Sequence, residues 1–452
     1  MKIKIIENWQ KAVLKQGELY LVGGVVRDGL INRKIEEKDI DYLASGISMK
    51  ELIKLLRSYG KVNLVGRSFG VIKFKPNKKC ISVDIALPRK EYSTGLGHRD
   101  FKVTYDHMLD IASDLGRRDF TINAIAYDLR SRRYVDPFCG IKDIKKRTIK
   151  MMSEKSFLDD PLRMLRAVQF AARFNFKIDK NTFMAMKKHR KLISTISCER
   201  IRIEIEKLLT KSDKPSIGLE IMSESGILGI ILPELAAGRG VEQNMYHKYD
   251  VMRHNFYSCD AAPKDNLAVR LAALLHDIGK VEKKRVIVSV KGAKKVVFYN
   301  HEMSSARLSE NILRRLRFPD DVVKKVVHLV SLHMFEYSSE WTDSAVRRFM
   351  RRTGIENIQE LLLLRRADRI SNKKQGIDKN LKELSYRIEK EIKSRSALNE
   401  SDLKINGKDI MRVLKISSGP KVGSTLKNVL ELVIENPEFN KRKLLLKKIK
   451  EI

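Results

Sequence analysis

At 452 residues the chain is longer than one hydrophobic core sustains, since cores stop growing at about 250 to 300 residues, so several domains are expected. Hydrophobic residues make up 43% of it, enough to bury those cores, while 91 Lys and Arg against 56 Asp and Glu leave a formal net charge of +35. That excess repels itself unless a polyanion offsets it, which favours a nucleic-acid partner; no apolar run approaches transmembrane length, and MKIKIIENWQKAVLKQ is no signal peptide, so the reading is no membrane and a cytoplasmic location.

The first elements are short β-branched runs. LYLVGG, DIDYLAS, KVNLVG, GVIKFK and ISVDIALP, separated by helix-like segments, predict a small mixed sheet up to about residue 90. Residues 88–116 are polar and glycine-containing without a clear period, which predicts a long functional loop. After residue 117 apolar residues recur at three and four in DPLRMLRAVQFAARF, ERIRIEIEKLL, NLAVRLAALLHDIGK and SARLSENILRRLRF, predicting helices almost throughout. The cysteines Cys80, Cys139, Cys198 and Cys259 show neither CxxC nor zinc-ligand spacing and read as buried thiols in a reducing compartment.

Several positions along this order carry chemistry. A strand ending at Gly23 and Gly24 before a helix leaves backbone N–H groups open to a phosphate. If KDIDY is a strand, Asp39 and Asp41 share a face with Ile40 turned into the core, and two close carboxylates suit Mg²⁺. Each motif alone is also common in ordinary strand-turn-helix units. Asp84, acidic within the apolar run ISVDIALP, either joins that metal, activates a hydroxyl, or pairs with water or an arginine. In DLGRRDFTINAIAYD, Arg117, Arg118 and Asp119 stand at a predicted helix start with Asn123 one turn on: guanidiniums suit phosphates, Asp and Asn suit ribose hydroxyls. Asp160 and Arg163, three apart on a helix that Pro161 opens, read either as an acceptor-donor pair for a base edge or as an intrahelical salt bridge.

In order, LVGGVVRDGL with DID, DLGRRDFTINAIAYDL, VDPFCGIKDI, DDPLRMLRAVQFAARFNFKI and CERIRIEIEKLL resemble the successive motifs of class II tRNA nucleotidyltransferases and bacterial poly(A) polymerases, over about residues 15–235. The resemblance implies an α+β chain, a polymerase-β-like nucleotidyltransferase head with a small mixed sheet followed by all-helical neck, body and further domains. It implies Asp39 and Asp41 as ligands of the catalytic Mg²⁺, Gly23, Gly24 and Arg27 by the triphosphate, and Arg118, Asp119 and Asn123 at the ribose. Asp160 and Arg163, with Arg166 beside them, would then select the base of CTP or ATP for addition to a tRNA 3′ end, with the acceptor arm held by basic helices. One departure is Asp159-Asp160, where the family motif opens Glu-Asp. In the family the loop corresponding to residues 88–116 helps the pocket change from cytosine to adenine; His98, Arg99 and Asp100 either steer that change or touch RNA phosphates.

Further on, His276 and Asp277 in LAALLHDIGK, His254 upstream and Asp368 downstream resemble an HD phosphohydrolase domain, with His301 and His333 spaced for a second metal. Imidazoles favour a divalent transition ion, Ni²⁺, Mn²⁺ or Co²⁺. Any one of these histidines taken singly reads as a satisfied core or surface residue, as do His247 and His328. The expected domains are a head (1–145), a neck and body (146–240), an HD domain (241–375) and a helical tail (376–452).

Overall fold

The computed structural model describes residues 7–33, 40–65, 70–77, 82–93, 101–243, 248–288, 294–371, 377–394 and 396–451. It divides into two compact units, Met1–Pro233 and Glu234–Ile452.

The first unit begins α1 (Asn8–Gln16), β1 (Glu18–Val22), α2 (Gly24–Leu30), β2 (Asp41–Ser45), α3 (Met49–Arg57), β3 (Gly60–Val65), β4 (Val71–Pro76) and β5 (Val83–Ala86). β6 (Arg89–Ser93), β7 (Phe101–Tyr105), α4 (Ile111–Gly116), β8 (Ala126–Asp128) and β9 (Tyr134–Val135) follow. One seven-stranded sheet runs β3-β4-β5-β2-β1-β8-β9, antiparallel except between β2 and β5. β1 and β2 are buried in every residue after the first, because both of their faces are covered. On one face Tyr20, Val22 and Leu43 pack against Ile111 and Leu115 of α4. Elsewhere in this core the Trp9 ring meets Tyr42 and Phe74 edge-on, each centroid 5.2 Å away.

Two expectations need correction here. Segment 88–116 is not one loop: β6 and β7 pair antiparallel as a separate ribbon and α4 follows. The sheet also continues past residue 117, since β8 and β9 extend it beyond β1. Strands of two or three residues leave no period to read; their tertiary pairing defines them.

The unit is completed by α5 (Gly140–Lys145), β10 (Thr148–Ile149), α6 (Lys155–Asp159), α7 (Leu162–Phe174), β11 (Lys177–Ile178), α8 (Lys180–His189), α9 (Cys198–Lys211), α10 (Ser216–Ser225) and α11 (Leu228–Ile231); the boundary between the units falls within α12 (Pro233–Ala236). α7 is its central helix, burying Met164, Leu165, Ala167, Val168 and Ala171. Asp179 caps α8 by accepting from Asn181 and Thr182 N–H, so the chain turns sharply there.

The second unit comprises α13 (Val251–Ala261), α14 (Leu267–Leu275), α15 (Lys280–Lys283), β12 (Arg285–Val288), β13 (Lys294–Val297), α16 (His301–Arg315), α17 (Asp320–Leu332), α18 (Asp343–Thr353), α19 (Ile355–Ser371), α20 (Ile377–Lys393), α21 (Gly407–Leu414), α22 (Pro420–Glu435) and α23 (Arg442–Ile449). α14, buried from Val269 through Leu275, packs against α13, α17 and α19. The C-terminal helices close a second core around Ile410, Val429, Val433, Ile434, Leu445 and Ile449. This unit is not all-helical as expected: β12 and β13 form an antiparallel hairpin, with every β12 residue exposed. Among the described residues no helix is long and apolar enough to cross a membrane. Cys80 lies outside the described residues; Cys259 is buried, its thiol pushed up to about 12 by burial, whereas Cys198 is half-buried and Cys139 exposed, contrary to the buried-thiol expectation.

Candidate active site

The glycine turn is built as its residues require. Gly23 has φ of 74°, a conformation that L side chains rarely adopt, and it turns the chain from β1 into α2. A Cβ at Gly23 would stand 3.2 Å from Arg118 Nη1 and 3.7 Å from Asp41 Oδ2, so the bare backbone faces a guanidinium and a carboxylate. β2 begins at Asp41, and Ile40 before it is half-buried; Asp39 lies outside the described residues, so its place on the strand face stays an expectation. Asp84 stands directly beside Asp41 in the parallel register of β2 and β5, which puts both carboxylates on one face of the sheet. Two hard oxygen donors side by side fit a divalent Mg²⁺-like ion.

A chain of polar contacts runs from this corner to α7. Arg27, buried, donates through Nη1 to Asn123 Oδ1 at 2.6 Å. Asn123 Nδ2 donates to Asp119 Oδ1 at 2.8 Å, and Arg166 Nε to Asp119 Oδ2 at 2.8 Å. The Arg27 guanidinium also lies over the rings of Phe170 and Phe174, at 5.0 and 4.7 Å. Burial alone would push the Asp119 carboxyl up, but Arg166 and the Asn123 amide hold it below the usual carboxylate range. Burial lowers both Arg27 and Arg118 from the ordinary guanidinium value.

Arg117, Arg118 and Asp119 lie at the end of α4, not at a helix start, and Asn123 closes a short 3₁₀ turn over Thr121–Asn123. Asp114, fully buried, is the residue that sequence reasoning missed here: its carboxylate takes Arg117 at 2.7 Å and Arg118 at 3.3 Å.

Asp160 and Arg163 are near neighbours but not each other's partners. Asp160 precedes α7 and both its oxygens accept from Arg200 Nη2 at 3.1 Å. Arg163 donates to the Arg117 carbonyl at 3.1 Å and the Arg118 carbonyl at 3.4 Å. Of the two readings of this pair, the intrahelical bridge is not formed: Asp160 stands outside the helix, and both residues take these tertiary partners. One cavity of about 570 Å³ gathers Gly23, Gly24, Arg27, Asp41, Arg118, Asp119, Asn123, Asp160, Arg163 and Arg166, together with Arg117, Phe170, Arg173, Arg200 and Lys207, which had not been singled out for it apart from Arg117. His98, Arg99 and Asp100 lie outside the described residues.

The second unit holds a separate cluster. His254 on α13, His276 and Asp277 after α14, and Asp368 on α19 converge: His254 Nε2 is 3.2 Å from His276 Nε2, 3.3 Å from Asp277 and 3.2 Å from Asp368. His301 Nε2 and His333 Nε2 lie 3.1 and 3.6 Å from the other Asp277 oxygen. His276, His301 and His333 each hold a backbone carbonyl three residues back through Nδ1, at 2.9, 2.8 and 2.7 Å, and His254 Nδ1 meets Ser371 Oγ at 3.0 Å. With Nδ1–H donating outwards, each Nε2 lone pair points into the cluster. Among the described residues His301 Nε2 and His333 Nε2 have no aligned hydrogen-bond partner. That donor set fits a divalent transition metal: neutral imidazoles and carboxylates, several of them facing acceptor to acceptor. Burial acts against ionised Asp277 and Asp368, yet His276 and Lys280 hold Asp277, and His254 and His276 hold Asp368, well below the carboxylate range. Lys280 Nζ reaches Asp277 at 2.6 Å, and no spacing in the sequence had pointed to it. His328 Nε2–H donates to the Thr353 carbonyl at 2.7 Å and takes no part in the cluster; His247 is outside the described residues.

The fold and the glycine-carboxylate corner define a nucleotidyltransferase, and the comparisons agree. Residues 19–150 match the Poly A polymerase head domain, 175–238 the family described as "Probable RNA and SrmB- binding site of polymerase A", and 294–449 the family described as "tRNA nucleotidyltransferase domain 2 putative". The chain is 32% identical to the A-adding tRNA nucleotidyltransferase of Deinococcus radiodurans over 338 residues, 71% of this chain and 75% of that protein. It is also 32% identical to the multifunctional CCA protein of Shewanella denitrificans, over 67% of this chain and 71% of that one. The chain belongs to the tRNA nucleotidyltransferase family. Its fold is similar to that of the Bacillus stearothermophilus CCA-adding enzyme in complex with CTP (TM-score 0.70, 22% identity, 98% of each chain) and of the Thermotoga maritima CCA-adding enzyme complexed with tRNA (TM-score 0.58, 21% identity, 97% and 92%). Enzymes of this family depend on a divalent metal.

Proposed function

We propose that the first unit adds C and A, from CTP and ATP, to the 3′ end of tRNA without a nucleic-acid template. The observation that carries this reading is a single cavity with the Gly23 turn and Asp41 at one end and Asp160, Arg163 and Arg200 at the other. In this reading the Gly23–Gly24 backbone and the Arg118 guanidinium take the triphosphate, while Asp119 and Asn123 face the ribose. Asp41 and Asp84, with Asp39, would hold Mg²⁺, which would supply charge neutralisation for the transferring phosphate. The tRNA terminal hydroxyl attacks the α-phosphorus and pyrophosphate leaves, so one phosphodiester forms as one phosphoanhydride breaks. The carboxylate of Asp160 accepts from the amino group that cytosine and adenine share and uracil lacks.

Transcripts ending before CCA, after C and after CC, offered CTP and ATP with Mg²⁺, test this at single-nucleotide resolution. Stepwise completion that stops at A is expected, with Asp41→Ala lowering turnover at least about a thousandfold while tRNA binding stays within about twofold. Addition of A alone to CC-ended RNA would instead match the activity in the Deinococcus relative's name, and long tails would indicate poly(A) synthesis. Retained turnover in Asp41→Ala would remove that residue from catalysis.

A second activity is favoured by the inward-facing Nε2 atoms of the His/Asp cluster. We propose that His254, His276, Asp277 and Asp368 hold one divalent transition metal, with His301 and His333 able to hold a second beside the shared Asp277, and that the centre hydrolyses phosphate esters such as a 2′,3′-cyclic phosphate on RNA. The metal would supply an activated water at neutral pH. Metal analysis of the purified chain should find about one to two ions per chain, and His276→Ala should lose metal and cyclic-nucleotide hydrolysis while CCA addition persists. A metal-free wild-type chain that also fails to hydrolyse with added Ni²⁺, Mn²⁺ or Co²⁺ would overturn this.

A further inference from the structure

A cavity of about 570 Å³ opens on the His/Asp cluster of the second unit, and its wall carries more than the candidate metal ligands. Arg365 and Arg369 both line it from α19, four residues apart and so one helical turn from each other. Two guanidiniums at that spacing repel unless an anion sits between them. Arg365 Nη1 donates to Asp368 Oδ2 at 3.0 Å, while its Nε is buried with no hydrogen-bond partner among the described residues. A buried donor left unmade is costly, so a ligand that accepts from it is favoured. Lys280 is placed differently, because its Nζ already serves Asp277 at 2.6 Å and Gln243 Oε1 at 2.7 Å. Apart from the cluster's own aspartates, the wall sets Glu302 and Glu336 against three cations, Arg365, Arg369 and Lys295.

We infer that Arg365 and Arg369 bind a second phosphate of the substrate, beside the one hydrolysed at the cluster, and that this substrate is the 3′ end of an RNA chain and not a mononucleotide. This rests on the phosphohydrolase reading of the cluster. In an RNA that ends in a 2′,3′-cyclic phosphate the neighbouring phosphodiester lies one ribose away, and a cavity of this size holds both groups. The two guanidiniums then take the non-bridging oxygens of that phosphodiester. At the scissile end the oxygen of water bonds to phosphorus as one ring P–O bond breaks, and one proton of the water passes to the released ribose hydroxyl, leaving a phosphomonoester. The surroundings favour a chain: Tyr299 lines the cavity with an exposed ring on which a base can stack, and Lys284 and Arg285, both exposed, extend the cations past the cavity into β12. A nucleoside polyphosphate would end inside the cavity and leave those cations unused.

The test compares the full chain with Arg369→Ala and Arg369→Lys, each with added Ni²⁺, Mn²⁺ or Co²⁺, on adenosine 2′,3′-cyclic phosphate, on the dinucleotide CpA carrying the same cyclic end, and on ATP. The wild type is expected to favour the dinucleotide over the mononucleotide about tenfold in kcat/KM, mostly through KM, and Arg369→Ala to bring that ratio near one. Arg369→Lys, which keeps the charge but loses the fork, should recover part of it. Equal kcat/KM on the two cyclic substrates in the wild type, a preference that survives in Arg369→Ala, or faster hydrolysis of ATP than of the dinucleotide would each overturn the inference. Equilibrium binding is measured in parallel with adenosine 3′,5′-bisphosphate, whose 5′-phosphate stands in for the neighbouring phosphodiester, against adenosine 3′-phosphate. The bisphosphate should bind about tenfold more tightly to the wild type and lose that margin in Arg369→Ala. No hydrolysis by the wild type with any of the metals would overturn the phosphohydrolase reading, whereas a binding margin that is absent, or unchanged in Arg369→Ala, would overturn this one.

Discussion

Asp119 shows how a single carboxylate can tie its own turn to a distant helix. It accepts from its own neighbour Phe120 N–H at 2.8 Å, from Asn123 and from Arg166, so Asp119→Asn removes the charge while keeping the shape. Arg166 is about one-third exposed, and solvent screens its share of the pair. The expected cost is about 2 kcal/mol in urea unfolding at pH 7, with a several-fold rise in nucleotide KM. The sign of the pH dependence follows from Asp119 being held below its unfolded value, about 3.9. Its stabilisation is complete above that value and is lost as the pH falls through the lower folded value. The gap between wild type and Asp119→Asn should therefore stay constant from pH 7 to about pH 5 and close below about pH 4; a gap that changes between pH 6 and 8 would assign the effect to another group.

Among the elements, legibility followed the length of the pattern. The strands LYLVGG, DIDYLAS, KVNLVG, GVIKFK and ISVDIALP and the long helices α7, α9, α14 and α16 were readable because each repeats its apolar residues often enough to show a period. β8, β9, the β6–β7 ribbon and the six-residue α4 were not, since pairing and packing define them. Site residues divided in the same way. The histidines and aspartates of the second unit were readable because they are uncommon in apolar helices, and the structure brings all six together. The partners that orient them, Ser371 and the carbonyls of Ala273, Phe298 and Val330, carry no sequence signal at all. Asp160 and Arg163 illustrate the limit of spacing: three residues apart predicts a local pair, yet Arg200, forty residues on, takes Asp160 instead.

For the whole molecule the dominant quantity is charge. At +35 the chain binds a polyanion largely by displacing its counterions, so affinity for tRNA should drop by about a thousandfold between roughly 50 and 200 mM salt. Asp41→Ala should show the same slope, because it removes no phosphate contact. A flat salt response in filter binding would contradict a polyanion partner. The cavity itself draws on residues from Gly23 to Lys207, and the polar link from Arg27 through Asn123 and Asp119 to Arg166 closes only when the sheet and α7 are both in place. A nascent chain on the ribosome that ends before Arg200 therefore has the Gly23 turn but lacks Arg200, Glu204 and Lys207 of the cavity wall.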